Sequence, residues 1–388
     1  MEGCNYVDFP MGGSLTFVKQ LCKALGNRLA LVGLSTDETP VGRWVQRRID
    51  GVEYAYFATH HCRPQASKPL IPARITCHWN LRRHLDAIRS VGIGDVFISS
   101  PELLMAASSA SWDSICYCFP GVENPVANSR YPWLRWTAAL VERRLFKTLK
   151  NVDRILASAD DASIDALVKR SRGLLSREQI VQFPTRFDSD IFRPQDKQHA
   201  REQLGLNGGG FIVVASGRLN WGKGWDLILE SAVLAKRDRP ELEVVFVGDG
   251  EDRQLLRGRA QTLGLQANVR ITGYVVPEQV SAYLNAADVV AVGSHREGWS
   301  IAMLEAIACG KAIVTTAVSG ATAMVRDGEN GFVIGTRDPQ EYAQRMLAAA
   351  SLPGSQQVSL EIARQYDSHH LASDLAKLWP PMAKALQQ

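Results

Sequence analysis

The 388-residue sequence predicts an α/β protein of two domains, each built on a parallel sheet. Three observations predict it. Short apolar runs alternate with helical stretches from residue 211 to residue 315, the pattern of βαβ units. A similar but looser alternation fills the first half. Between them lies FPTRFDSDIFRP (183–194), whose two prolines and polar turn residues suit an interdomain linker. The expected domains are 1–190 and 191–365, with a closing helix over 366–388 that packs back on the first domain.

In the first half, runs at 29–34, 96–99, 114–118 and 154–157 read as strands, 15–25 as a helix and 133–149 as a longer one. A doubly wound domain opens with a strand leading into its first glycine turn. Here only residues 1–10 precede Met11-Gly12-Gly13-Ser14, and they hold no apolar run: the first strand is either missing or upstream. In the second half, 211–217 (FIVVASG) is a buried strand before a helix at 224–236. The strand 242–247 ends in the turn Gly248-Asp249-Gly250 and leads to a helix reaching residue 263. Strands at 269–271, 288–293 and 312–315 follow, with helices near 278–284 and 301–309 between them. Ligands on such sheets bind at the carboxyl ends of the strands.

Composition narrows the function. At 46% hydrophobic and 22% charged residues, the chain can bury a substantial core. A net charge of +4 is too small to argue for nucleic acid and suits a protein that handles phosphate groups. Seven cysteines, an odd number without a framework of spacings, point to a reduced, cytoplasmic setting. Cys116 and Cys118 alternate across a strand. His60-His61-Cys62 with Cys77-His78 matches no zinc spacing, and no metal is expected. No signal peptide is visible and no apolar run approaches the roughly 18 residues of a bilayer span, so membrane contact would be peripheral.

The chemistry gathers in the second half. Arg218 follows a strand end, and Lys223 comes five residues later. An Arg fork and a Lys point charge at a strand's carboxyl end can grip a diphosphate, although alone they would read as a solvated loop. Glu297-Gly298-Trp299-Ser300-Ile301 leaves a strand, turns and enters a helix that carries Glu305. Backbone N–H groups at that helix start, around Ser300 and Ile301, favour an anion. Were the segment helical throughout, Glu297 and Glu305 would stand about 12 Å apart along its axis. That suits one carboxylate at a sugar and the other at a ribose, with phosphates between. The alternative, a solvated face, is weakened at Glu305 by Met303, Leu304, Ala306 and Ile307 around it. The turns at 248–250 and Gly273-Tyr274-Val275 offer backbone groups to a base. Gly12-Gly13 before a helix would let backbone approach a phosphate.

At these residues the sequence resembles glycosyltransferase family 4. The match runs through Gly217-Arg218, Lys223-Gly224, Val247-Gly248-Asp249-Gly250-Glu251, Glu297-Gly298, Glu305-Ala306, Gly310, Asp327-Gly328 and Gly331-Phe332, with 183–194 similar to the family's link between lobes. The resemblance implies a GT-B fold, two Rossmann-like lobes facing each other across a cleft, the first on the acceptor side. It implies a retaining, metal-independent hexosyl-type transferase without a cofactor, whose donor is a nucleotide-sugar, UDP- or GDP-linked. Carried over residue by residue, Arg218 and Lys223 would hold the diphosphate and stabilise its departure, Glu297 would contact the donor sugar and Glu305 the ribose. Gly13 would approach the phosphates from the first lobe, while Val275, Gly298, Trp299, Ser300 and Ile301 would line the donor. The family's first-lobe histidine has no counterpart in Cys116-Tyr117-Cys118-Phe119-Pro120-Gly121. Asp188-Ser189-Asp190 looks like a metal-binding Asp-x-Asp, but its place in the proline-flanked segment makes it structural.

The acceptor is expected to be a saccharide or lipid-linked, in polysaccharide, lipopolysaccharide or glycolipid assembly. Residues 130–154 carry Arg130, Arg135, Arg143, Arg144, Lys147, Lys150 and Arg154 interleaved with Tyr131, Trp133, Trp136 and Phe146. Such a helix can rest on anionic lipid or simply pack on the first sheet with its charges in water. His60, His61, His78 and His84 fall among acceptor-side loops without a fixed role, and His295 is expected near the cleft. Two other readings stay open: a sugar-nucleotide epimerase on the same fold, and a non-catalytic partner subunit, which intact Arg218, Lys223, Glu297 and Glu305 argue against.

Overall fold

A computed structural model describes every residue except 11, 64–68, 125, 128–130 and 388. Met11 and Arg130, both singled out above, therefore lie outside the described residues. The chain divides into two compact units, Met1–Pro184 with His370–Gln388, and Thr185–His369.

The first unit holds β1 (Ala30–Ser35), β2 (Trp44–Ile49), β3 (Val52–His61), β4 (Asp95–Ile98), β5 (Ser114–Phe119), β6 (Arg154–Ala157) and β7 (Ile180–Gln182). They form two sheets, β1-β3-β2 and β4-β5-β6-β7. All neighbours are parallel except β2 and β3. That antiparallel pair, absent from the expectation above, turns at Asp50-Gly51, both in the left-handed region at φ 47° and 84°. An Asp-Gly between two apolar-patterned runs is the strongest short-range hairpin signal a sequence carries. Among the described residues no strand precedes the helix Gly13–Leu25. Residues 1–4 instead run between the two sheets: Glu2 N–H donates to Val32, Leu34 N–H donates to Cys4, and the Met1 amine donates to Phe97 at 2.7 Å. One core spans both sheets, from Val32 and Phe57 to Ile98, Tyr117 and Ile155.

The stretch 133–149 is two helices, Pro132–Arg135 and Ala138–Leu149. The break falls where Thr137 spends both its N–H (3.0 Å) and its hydroxyl (2.7 Å) on the Leu134 carbonyl, which tightens the turn.

The second unit is one six-stranded parallel sheet. Its strands are β8 (Ile212–Ser216), β9 (Glu243–Val247), β10 (Val269–Ile271), β11 (Val289–Val292), β12 (Ile313–Thr316) and β13 (Gly331–Ile334), in the order β10-β9-β8-β11-β12-β13. The order reverses between β8 and β11, the switch point at which open α/β sheets bind ligands. Helices cover both faces. Met303, Leu304 and Ile307 pack on one side, Ile228, Leu229 and Tyr342 on the other.

The division falls after Pro184 rather than at 190, because Phe187 and Phe192 are already in the second unit's core. Asp188 starts the turn there: its carbonyl accepts from Ile191 and Phe192, and its carboxylate from Asp190 N–H. At the far end, helices Leu371–Leu378 and Pro380–Gln387 return to the first unit. Leu371, Leu375, Trp379 and Met382 pack there against Phe17, Leu21, Cys116, Cys118 and Leu156.

Candidate functional site

The loops after β8 and β11 flank the switch point, and each is shaped by glycine. Gly217 (φ 129°) ends β8 and gives its N–H to Val247. A Cβ on Gly248 would stand 2.1 Å from the Gly217 carbonyl oxygen, so the β8 and β9 turns pack backbone to backbone. Gly224 (φ 63°) faces Gly293 across the loops, and a Cβ there would lie 1.7 Å from the Gly293 oxygen. Only a chain without side chains at this crossing lets the two loops meet.

Their meeting joins residues 74 positions apart. Lys223 Nζ donates to Glu297 Oε1 at 2.7 Å, and Ser294 Oγ donates to the same oxygen at 2.6 Å. The Glu297 side chain is only 11% exposed, so its charge is held by a cation and a hydroxyl rather than by water. One cavity is lined by Gly217, Arg218, Lys223, Ser294, Glu297 and Ser300, together with apolar side chains from β8 and β11. Arg218 is half exposed, its Nε donating to Glu251 Oε2 at 3.0 Å. Ser216 Oγ, also on this cavity, is buried and has no hydrogen-bond partner among the described residues.

Ser300 caps the helix Ile301–Ala308, accepting from Met303 N–H. Ala302 lines the cavity, and Glu305, three residues on, lies on the same helix face. Glu305 is half-buried among apolar neighbours, and no group among the described residues donates to its carboxylate. Burial pushes that carboxyl up to about 8.

Other expected residues fall elsewhere. The Trp299 side chain is core, packed on Tyr366 and Gly320, and its indole N–H has no partner among the described residues. Gly298 and Ile301 bracket the helix start without lining the cavity, and Val275 packs against the core beyond the Gly248–Gly273 bridge. His295 stacks on Trp221 at 3.8 Å between ring centres, and burial lowers its pKa. Gly13 begins its helix in the first unit, on an exposed turn whose Gly12 has φ 143°. Ser294 and Ser216 were missed by the sequence reading, and Glu251 was read only as a motif residue. Ser294 alone left a signal, a hydroxyl three residues before Glu297. Among the described residues, no three His, Cys, Asp or Glu side chains gather as a metal site requires.

Comparison with known proteins bears on this arrangement. Residues 196–365 match the model of the family described as Glycosyl transferases group 1. The chain is 36% identical over 211 residues to the D-inositol 3-phosphate glycosyltransferase of Geodermatophilus obscurus, covering 52% of this chain and 46% of the relative. It is 33% identical over 162 residues to the putative glycosyltransferase EpsD of Bacillus subtilis, covering 41% and 42%. The chain thus spans less than half the length of these curated relatives. Among solved structures, sucrose-phosphate synthase from Thermosynechococcus elongatus superposes with a TM-score of 0.76 at 20% identity, over 96% of this chain and 94% of that one. HepE of Anabaena, in complex with UDP and glucose, gives 0.71 at 18% identity over 97% of both chains. Residues 196–365 are thus similar to the Glycosyl transferases group 1 family, and the chain that carries them has the GT-B fold.

Proposed function

We propose that the chain is a retaining glycosyltransferase that moves a hexosyl-type sugar from a nucleoside diphosphate sugar to a saccharide or lipid-linked acceptor. The observation that carries this reading is the Lys223–Glu297–Ser294 cluster at the switch point, with Arg218 on the same cavity wall. In this reading Arg218 and Lys223 hold the diphosphate, and their charge rises in value as the C1–O bond to phosphate breaks. Glu297 accepts from donor-sugar hydroxyls. The acceptor oxygen forms the new bond to C1 on the same face, and its proton passes to the departing phosphate oxygen. Two side-chain cations then supply the charge that a metal would otherwise give, so the reaction needs no metal and no cofactor. Glu305, with its carboxylate short of donors, takes the ribose hydroxyls. Among structural neighbours, HepE and the pneumococcal O-GlcNAc transferase GtfA hold UDP, which supports a uridine donor. Seven free cysteines support a cytoplasmic, reducing setting.

The test pairs binding with turnover. UDP and UDP-sugars should raise the melting temperature, and Arg218→Ala should remove most of the shift. Glu297→Ala should cut transfer about 100-fold or more while UDP affinity stays near normal. Near-normal turnover in that variant would falsify the assignment of Glu297.

A further inference from the structure

The outer face of 132–150 in the first unit has an order that its packing does not explain. The helices there bury Leu134, Leu145, Phe146 and Leu149 inward. On the outside, Trp133 on the first helix, Trp136 in the turn after it and Leu140 on the second are 53%, 91% and 72% exposed, and Leu140 opens a stripe along the second helix. The same stripe continues through Arg143, Lys147 and Lys150, all exposed, with Arg144 beside them. None of these four cations forms an ion pair among the described residues. Glu142, the one acid in the segment, turns inward onto Arg170 at 3.2 Å with only 14% of its side chain exposed. The outward charge is therefore wholly positive. A second apolar strip lies alongside: the Tyr131 hydroxyl donates to the Pro69 carbonyl at 2.5 Å, bringing up Leu70 (97% exposed) and Ile71 (62%).

We infer that this face docks on an anionic lipid surface, the side chains of Trp133, Trp136, Leu140 and Leu70 entering the headgroup–acyl boundary and Arg143, Arg144, Lys147 and Lys150 meeting lipid phosphates. Indole and leucine side chains gain at that boundary, and cations at its edge gain from the leaflet's negative potential within a Debye length. Charge complementarity selects this occupant: a nucleic acid would leave the apolar half of the stripe in water. No helix among the described residues is long and apolar enough to cross a membrane, so the attachment lies in the surface plane. The inference does not depend on the transfer reaction, because none of these residues lines the cavity in the second unit.

Sedimentation with vesicles tests it. The full chain should bind vesicles of phosphatidylcholine with phosphatidylglycerol, bind pure phosphatidylcholine far less, and release in high salt. Trp136→Ser with Leu140→Ser should weaken binding about tenfold or more, as should Lys147→Glu with Lys150→Glu. All these positions are exposed, and an unchanged circular dichroism spectrum and melting curve would show that each variant remains folded. No binding to anionic vesicles, equal binding to both compositions, or full binding by both variants would overturn the inference.

Discussion

Glu305 shows how burial of a single carboxylate ties stability to pH. Its folded pKa is raised by burial to about 8. A carboxyl raised in the folded state favours folding while protonated, so stability is full below the unfolded value and is lost as pH climbs through about 8. Glu305→Gln should flatten this slope and raise the melting temperature at pH 9, by about 2–4 °C for each kcal/mol recovered. In the proposed function the ligand would reverse the preference, since ribose hydroxyls donating to the carboxylate favour its ionised form. Binding of UDP-glucose, which has no proton titrating near neutrality, should therefore release protons at pH 7 and tighten as pH rises to 8. Calorimetry in two buffers of different ionisation heat measures the release; none at pH 7 would separate Glu305 from the nucleotide. The apolar residues around Glu305 made its burial legible in the sequence. Trp299 was less legible: a helix-start pattern does not say whether a residue offers its backbone or its side chain to a ligand. Ser216 left no trace, since a serine at a strand end is common.

At the scale of elements, the site depends on two loops that touch only because Gly224 and Gly293 lack side chains. Gly224→Ala combines a left-handed φ of 63° with a backbone collision. The variant should lose roughly 3 kcal/mol or more in chemical denaturation. Its UDP affinity should fall too, because Lys223 and Glu297 would be pushed apart. A loss below about 1 kcal/mol with unchanged affinity would mean that the loops can part without harm. The buried strands β8, β9 and β11 were plain in the sequence, as each is an unbroken apolar run. β2 was not, because alternate side chains on it stand in water, and β3, buried in succession from Tyr56 to Thr59, was an apolar run that the sequence reading passed over. Their Asp50-Gly51 turn was the readable part, and it was overlooked. β13 was seen only as motif residues, Gly331-Phe332, since four residues are too few to show a period.

In the whole molecule, the first unit is built from both ends of the chain. Trp379 is 4% exposed, and its indole N–H donates to Ser114 Oγ at 2.8 Å. Trp379→Ala should cost about 3–5 kcal/mol and lower the melting of the first unit, read by calorimetry. Stabilisation of the second unit by UDP should persist; its loss would show that the two units unfold together. The return of the closing helix leaves no local pattern, because contacts between Phe17 and Leu375 span most of the chain.

The pairing of Phe187 with Tyr366 and Ser368 gives the second unit a property of its own. Phe187 N–H donates to Tyr366 at 3.0 Å and Ser368 N–H donates to Phe187 at 2.9 Å, so its entry and exit strands lie side by side. Topologically, 185–369 is an insert spliced into a host fold through one doorway. Exchanging it for the corresponding insert of another protein would need only two junctions, at Phe187 and Asp367, which face each other across a single bridge. Donor preference would then be a transplantable module, and acceptor choice would stay with the host.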